Sequence, residues 1–181
     1  MITQLSNRID RLNESTPDHW NALAAQMSLE SGIHVFVQAP MTHTVWESRQ
    51  LDKLSKERKL CTQMGIQGTA QDSFREAVEF LQAGRLGEIK EIHVWTNKPS
   101  WPQAPMMVDQ PQEKNRVPDH LNWSCFLAGS SNRPYHSCYH PYNWRGWLDF
   151  GSGALGDSGS HLINLPLMGC DLPSPRKVRC L

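Results

Sequence analysis

Asp157 and His161 stand four residues apart in the run Gly151-Ser-Gly-Ala-Leu-Gly-Asp-Ser-Gly-Ser-His161, so on any helix begun near Gly153 they share a face. A carboxylate beside an imidazole is a proton-handling pair, because histidine exchanges a proton near neutral pH and an acid orients its ring. The same run spells G-x-G-x-x-G at Gly151, Gly153 and Gly156, the pattern in which glycines let backbone N–H groups close on a pyrophosphate. Context argues against that second reading. The fingerprint needs a buried strand before it and an acidic residue about 20 positions on. Here Trp147-Leu-Asp-Phe150 precedes it, and Pro166, Pro173 and Pro175 are expected to interrupt the chain beyond it. The plain alternative is a glycine-rich turn capping an ordinary helix, with Asp157 near the positive end of its dipole and His161 on the surface.

Three further groups carry chemistry-bearing side chains. Gln38-Ala-Pro40 follows an apolar run and falls where open α/β sheets place ligands; Gln38 offers only an amide and Ala39 nothing, so a connector shaped by Pro40 is the favoured reading. His136-Ser-Cys138-Tyr-His140 alternates three soft ligands without a fourth, which favours a loop carrying two histidines over a metal site. Trp101, Trp123, Trp144 and Trp147, with Tyr135, Tyr139 and Tyr142, surround Asn143 and Arg145. Flat aromatics beside amide and guanidinium donors suit stacking on a sugar or nicotinamide ring. A loop packing on its own aromatics explains them equally well.

The elements that must position these residues alternate. Residues 1–14 are polar and aperiodic and read as a frayed lead-in. Ser15, Thr16 or Asp18 caps a helix whose stripe is Trp20, Leu23, Ala24, Ala25 and Met27, ended by Gly32. Ile33–Val37 reads as a buried strand. Thr44–Lys59 comes next as a helix with Val45, Leu51 and Leu54 inward, then Leu60–Met64 as a strand. Gln71–Ala83 reads as a helix carrying Phe74, Ala77, Val78 and Leu81, and Ile89–Thr96 alternates as a half-exposed strand. Residues 97–143 have no sustained period, which favours a binding loop. Arg176–Leu181 reads as the start of a strand. Helices alternating with short apolar strands predict a parallel, doubly wound sheet.

Composition narrows the class. The 181 residues are 39% hydrophobic and 20% charged, enough for one sizeable core or two small ones. Lys+Arg and Asp+Glu are 18 each, and no basic run exists to neutralise a phosphate backbone, so no nucleic-acid partner is expected. The five cysteines include no C-x-x-C pair; neither a disulfide framework nor a zinc site is indicated, and a reduced, cytoplasmic compartment is expected. Apolar runs are too short for a membrane span.

Several blocks in order resemble the Gfo/Idh/MocA family of NAD(P)-dependent oxidoreductases. They are Thr16-Pro-Asp-His-Trp20, Val35-Phe-Val-Gln-Ala-Pro-Met-Thr-His43, Thr62-Gln-Met-Gly-Ile-Gln-Gly68, His93-Val-Trp-Thr-Asn97, Tyr139-His-Pro-Tyr-Asn-Trp-Arg-Gly-Trp147 and Gly153–His161. The resemblance implies an α/β fold: residues 1–67 as the C-terminal part of a Rossmann-type nucleotide-binding domain, and 68–181 as the N-terminal part of an α+β substrate domain with an open, mainly antiparallel sheet. It implies NAD or NADP as cofactor, contacted by Thr16, Pro17, Gln38, Pro40 and Gln67. His161 becomes the acid/base that exchanges the substrate hydroxyl proton and Asp157 positions substrate or imidazole, while Asn143, Trp144, Arg145 and Trp147 face a sugar-like substrate. A homo-oligomer through the substrate-domain sheet is also implied. The sequence departs from the family at Ala39, where the E-K-P motif has lysine, at Asn21, where histidine is usual, and at Asn164, where aspartate is frequent. The phosphate-binding loop is expected before Met1. The implied activity is hydride transfer between NAD(P) and a sugar or polyol hydroxyl, with this chain inactive alone. The alternatives are a non-catalytic remnant or carbohydrate- or partner-binding module, and the branch that uses NAD transiently for glycoside cleavage.

Overall fold

The computed structural model describes residues 11–98, 109–173 and 175–179. Three strands form one parallel sheet in the order β1 (Arg11–Glu14), β2 (His34–Gln38), β3 (Thr62–Gly65), with Leu12 opposite Val35 and Val37 opposite Met64. Helix α1 (Asp18–Glu30) joins the first two strands and α2 (Val45–Arg58) the second pair. The parallel α/β sheet that the alternation predicts is present, with both helices packed in one core against β2. The described part of the lead-in departs from expectation: Arg11–Glu14 is an edge strand, held by β2 rather than by any pattern of its own. Residues 1–10 lie outside the described residues, as do Trp101, Cys180 and Leu181.

Local chemistry explains the boundaries. Thr44 caps α2 by accepting from the Glu47 N–H, while the Glu47 carboxylate accepts from the Thr44 N–H, a reciprocal capping box. Lys59 ends the same helix in the left-handed region, and Gly32 turns α1 toward β2 at φ +79°. No side chain caps α1; its N-cap position is Pro17, so the hydroxyls of Ser15 and Thr16 and the carboxylate of Asp18 are not used that way.

The first core gathers Ala22, Ala25 and Leu29 of α1, Val35 and Val37 of β2, and Leu51 of α2. Only one face of β2 is covered; Phe36 on the other face stays 37% exposed, so the strand is half-buried rather than buried. The α1 stripe is rotated from the sequence expectation. Leu23 and Met27 remain exposed, and the inward face carries Asp18, Asn21 and Ser28 with the two alanines and Leu29. Small and polar residues face inward because the helix end meets other backbone at close range. Val45, at the first turn of α2, is also exposed, whereas Leu51 and Leu54 face inward as expected.

After a 3-10 turn (Gln67–Ala70), α3 (Asp72–Gln82) packs against the long helix α5 (Gly153–Gly169), where Gly169 lies close against Leu81. Ile89–Thr96 has no ladder partner among the described residues and its apolar side chains are exposed, with Trp95 at 80%; alternation alone does not make a strand where nothing pairs with it. Arg176–Arg179 likewise forms no strand. The second core is built from the aperiodic loop. Trp123 and Leu127 of α4 (Trp123–Leu127) pack with Tyr135, Tyr139, Trp144 and Phe150. Trp123 lies 12° from parallel with Phe126 and edge-on to Tyr135, and Tyr139 and Phe150 contact edge to face. Arg133 is buried over the Tyr139 and Phe150 rings and paired with Asp149.

Candidate functional site

The carboxyl ends of the three parallel strands open on a cleft of about 780 Å³. After β1 come Ser15, Thr16, Pro17 and Asp18, after β2 Gln38 and Ala39, and after β3 Gln67. The opposite wall is Phe126, His140, Pro141, Tyr142, Trp144 and Arg145, and α5 adds Asp157 and His161. Side chains separated by more than 140 positions thus share one concavity. The helical spacing of Asp157 and His161 is realised, since α5 begins at Gly153 and carries both half-buried on its cleft side. Pro166 does not end that helix. It lies three residues from the C-terminus, where its missing N–H removes a single bond from the last turn.

Gly151 and Gly153 have requirements unrelated to a phosphate. A Cβ on Gly151 would lie 2.5 Å from the Arg145 carbonyl oxygen, so glycine lets the entry to α5 pass directly over the turn that carries Arg145. Gly153 opens the helix at φ +65°, a conformation costly for a side chain. No strand precedes the glycine run; a 3-10 turn (Asn143–Gly146) does.

Of the eleven residues that the sequence points to, eight line the cleft: Thr16, Pro17, Gln38, Gln67, Trp144, Arg145, Asp157 and His161. Three do not. Pro40 is buried behind the cleft, where its carbonyl accepts from Asn21 Nδ2 at 2.8 Å. Asn143 begins the 3-10 turn and is half-buried. Trp147 packs on Tyr139 with ring centroids 4.8 Å apart and donates from Nε1 to the Cys138 carbonyl. The aromatic loop therefore divides. Trp123, Tyr135 and Tyr139 serve the core, and among the described residues Phe126, Tyr142 and Trp144 reach the cleft. The Arg145 guanidinium lies 4.2 Å from the Trp144 ring centroid and 4.7 Å from that of Tyr142, and it donates to the Tyr142 carbonyl. No carboxylate pairs with it among the described residues.

Residues with no pattern in the sequence fix the two walls together. Asn21, 1% exposed, accepts from Thr16 Oγ1 at 2.7 Å while donating to Pro40, so it ties the turn after β1 to the turn after β2. Asp18 Oδ2 accepts from Ser152 N at 2.9 Å and Ser152 Oγ at 2.6 Å. His19 sits between two main-chain carbonyls, with Nε2 2.7 Å from Phe126 O and Nδ1 3.2 Å from Phe150 O. Burial depresses its pKa, outweighing those two carbonyls. His43 Nε2 lies 3.1 Å from Gly151 O. His140 is likewise depressed, first by burial and then by His120. In the sequence Asp18 and His19 fall in the Thr16–Trp20 block, His43 in the Val35–His43 block and His140 in the Tyr139–Trp147 block, with Asn21 a departure from the family pattern, but none of them reads as a joint.

His136, Cys138 and His140 do not converge. Among the described residues, no three His, Cys, Asp or Glu side chains gather in a way that holds a metal ion. No helix there is long and apolar enough to cross a membrane.

The family model described as the oxidoreductase family, C-terminal alpha/beta domain, of the Gfo/Idh/MocA group matches residues 90–180. No curated protein matches the chain. Among solved structures, similarity extends to an inositol dehydrogenase homolog from Azotobacter vinelandii complexed with NADH and myo-inositol, 22% identical over 51% of this chain and 25% of that one, TM-score 0.49. An oxidoreductase from Pseudomonas syringae is 25% identical over 52% of this chain and 27% of its own, TM-score 0.49. The apo scyllo-inositol dehydrogenase from Lactobacillus casei is 21% identical over 49% and 27%, TM-score 0.45. The matched region spans about a quarter of the length of each of these structures.

Proposed function

The chain belongs to the Gfo/Idh/MocA family of oxidoreductases, and from that membership we propose that its cleft is the substrate-facing half of a site for NAD(P)-linked oxidation or reduction of a sugar or polyol hydroxyl. The observation that carries this reading is the shared cleft itself: Asp157 and His161 on α5 face Thr16, Gln38 and Gln67 at the carboxyl ends of a parallel sheet, where such sheets take nucleotides. Residues 1–67 are the nucleotide side of the proposal and 68–181 the substrate side.

The cleft fits one end of a dinucleotide and not the other. Amides at Gln38 and Gln67 suit a carboxamide-bearing ring and its ribose. The turn after β1 opens α1 with Asp18 in its first turn, a charge that repels a diphosphate from a helix N-terminus. At the bottom of the E-K-P-like turn Ala39 supplies no cation. NAD(P), when bound, supplies the hydride acceptor or donor. His161 takes the hydroxyl proton on oxidation and returns it on reduction, and Asp157 orients the ring. Trp144 backs the cleft wall with the Arg145 guanidinium over its ring, and the Arg145 donors bind hydroxyl oxygens. On this reading the 181-residue chain is expected to turn over no polyol by itself, since Ala39 offers no cation to the cofactor.

Titration of the chain with NADH and NADPH, followed by nicotinamide fluorescence, tests this. Half-saturation is expected above about 1 mM, corresponding to binding weaker than about −4 kcal/mol. Micromolar affinity, or turnover of any polyol, overturns the silent-chain reading. Absence of any sugar effect on Trp144 fluorescence removes the substrate assignment.

A further inference from the structure

We propose that Asp18 is a positioning residue for the reacting pair, acting through Ser152 to set where α5 begins and therefore where Asp157 and His161 stand. The proposal rests on the assignment of that pair to proton handling and adds a residue outside it. Asp18 is 6% exposed, so its carboxylate is stable there only if strongly bonded. Its Oδ2 receives both polar groups of Ser152, the backbone N–H at 2.9 Å and the hydroxyl at 2.6 Å. Ser152 is the N-cap position of α5 and makes no side-chain cap to its own helix, because that hydroxyl is committed to Asp18. The anchor of the helix start thus comes from a residue 134 positions earlier in the chain.

The two residues before Ser152 are held from the same side. Phe150 O accepts from the His19 N–H at 3.3 Å and faces its Nδ1, and Gly151 O faces His43 Nε2. Gly151 lies against the Arg145 backbone, so the segment 150–152 has α1 on one side and the Arg145 turn on the other. Asp157 lies five residues beyond Ser152 and His161 nine, all on one rigid helix. A displacement at the anchored end is therefore transmitted to both side chains, and Asp18 is the charged contact in that anchor. The remaining contacts reach main-chain carbonyl oxygens and involve no carboxylate.

Amide hydrogen exchange of the full chain, read residue by residue by NMR together with the His161 ring resonances, tests the anchor without requiring turnover. In Asp18→Ala, exchange at Ser152 through Asp157 is expected to rise about tenfold or more, the loss of a charge-assisted bond, while β2 amides keep their protection and the His161 resonances move. Asp18→Asn keeps an oxygen acceptor and should recover most of the protection and return the His161 signals toward wild type. Leu51→Ala, which weakens the first core, should accelerate exchange globally and leave the His161 signals in place. Should Asp18→Ala not fold, Ser152→Ala, which removes the hydroxyl donor alone, is expected to raise local exchange about threefold, in keeping with one hydrogen bond. Unchanged His161 resonances in Asp18→Ala, a rise spread evenly over β2 and α5, or no local change in Ser152→Ala overturns the proposal. Failure of cofactor or sugar binding bears on the reacting pair and leaves these readouts intact.

Discussion

Replacing Asn21 by alanine removes a side chain that ties the turn after β1 to the turn after β2. Asn21 is 1% exposed and uses both ends of its amide: Nδ2 donates to Pro40 O at 2.8 Å and Oδ1 accepts from Thr16 Oγ1 at 2.7 Å. Thr16 is exposed and recovers a water, so its share of the loss is about 0.5 kcal/mol. Pro40 is buried, and its carbonyl left without a donor costs about 1–3 kcal/mol. The sum is about 1.5–3.5 kcal/mol, a large part of the stability of a small domain. Asn21→Asp is the sharper probe, because it keeps the acceptor for Thr16 but turns a carboxylate oxygen toward the Pro40 carbonyl; it should destabilise more than alanine at pH 7 and recover when the carboxyl is protonated near about pH 4. Urea unfolding followed by tryptophan fluorescence, with the slope held common to the variants, measures each difference. A loss below about 0.5 kcal/mol for Asn21→Ala, or an Asn21→Asp variant as stable as wild type at pH 7, refutes the account of the joint.

Two further outcomes concern buried ionisable groups. His19 and His140 both have pKa values lowered below 6.5 by burial; above pH 6.5 both states are neutral and nothing is gained or lost. As pH falls through 6.5 the unfolded chain takes up protons that the folded chain refuses, so stability drops, by about 1.4 kcal/mol for each tenfold loss of proton affinity, and levels once the folded groups titrate. His19, the more deeply buried of the two, carries most of this, since solvent screens His140. Urea midpoints at pH 7.5 and 5.5 check the drop, and His19→Gln should flatten the dependence; a midpoint that rises on acidification contradicts it. Asp149→Ala should cost about 2–4 kcal/mol, because it strands the Arg133 guanidinium among Tyr139 and Phe150. The cost should shrink in Asp149→Ala combined with Arg133→Met, and an additive double variant would show the pair to be uncoupled.

The first half of the chain is legible because its elements are local. The Ile33–Val37 run, the capping residues Thr44 and Glu47 and the stop at Gly32 each act within a few residues, and the parallel sheet follows from their alternation. Arg11–Glu14 is illegible for the converse reason: as an edge strand it borrows its order from β2, and its own side chains need no period. The loop 109–150 misleads in part because aromatic residues carry the same letters whether they stack on a ligand or on each other. Trp123 and Tyr139 belong to the core, Trp144 to both core and cleft wall. Asp157 and His161 are legible because helical spacing is intrinsic to the sequence. Asp18, His19, Asn21 and His43 are not, since each works through a backbone group whose position only the tertiary fold decides.

That contrast assigns different work to the two ends of the glycine-rich run. Gly151 and Gly153 are glycines because the Arg145 backbone and a positive φ exclude a side chain, and neither condition involves an anion. Asp157 and His161, one and two turns further on, face the cleft instead of the protein. The spacing G-x-G-x-x-G therefore arises here from packing at a helix entry, and the cleft-lining carboxylate and imidazole come where the glycine pattern ends. A glycine pattern constrains backbone approach; the element in front of it decides whether a phosphate or another stretch of the same chain makes that approach. Here that element is the 3-10 turn bearing Trp144 and Arg145, which places an aromatic face and a cation beside the acid and the imidazole.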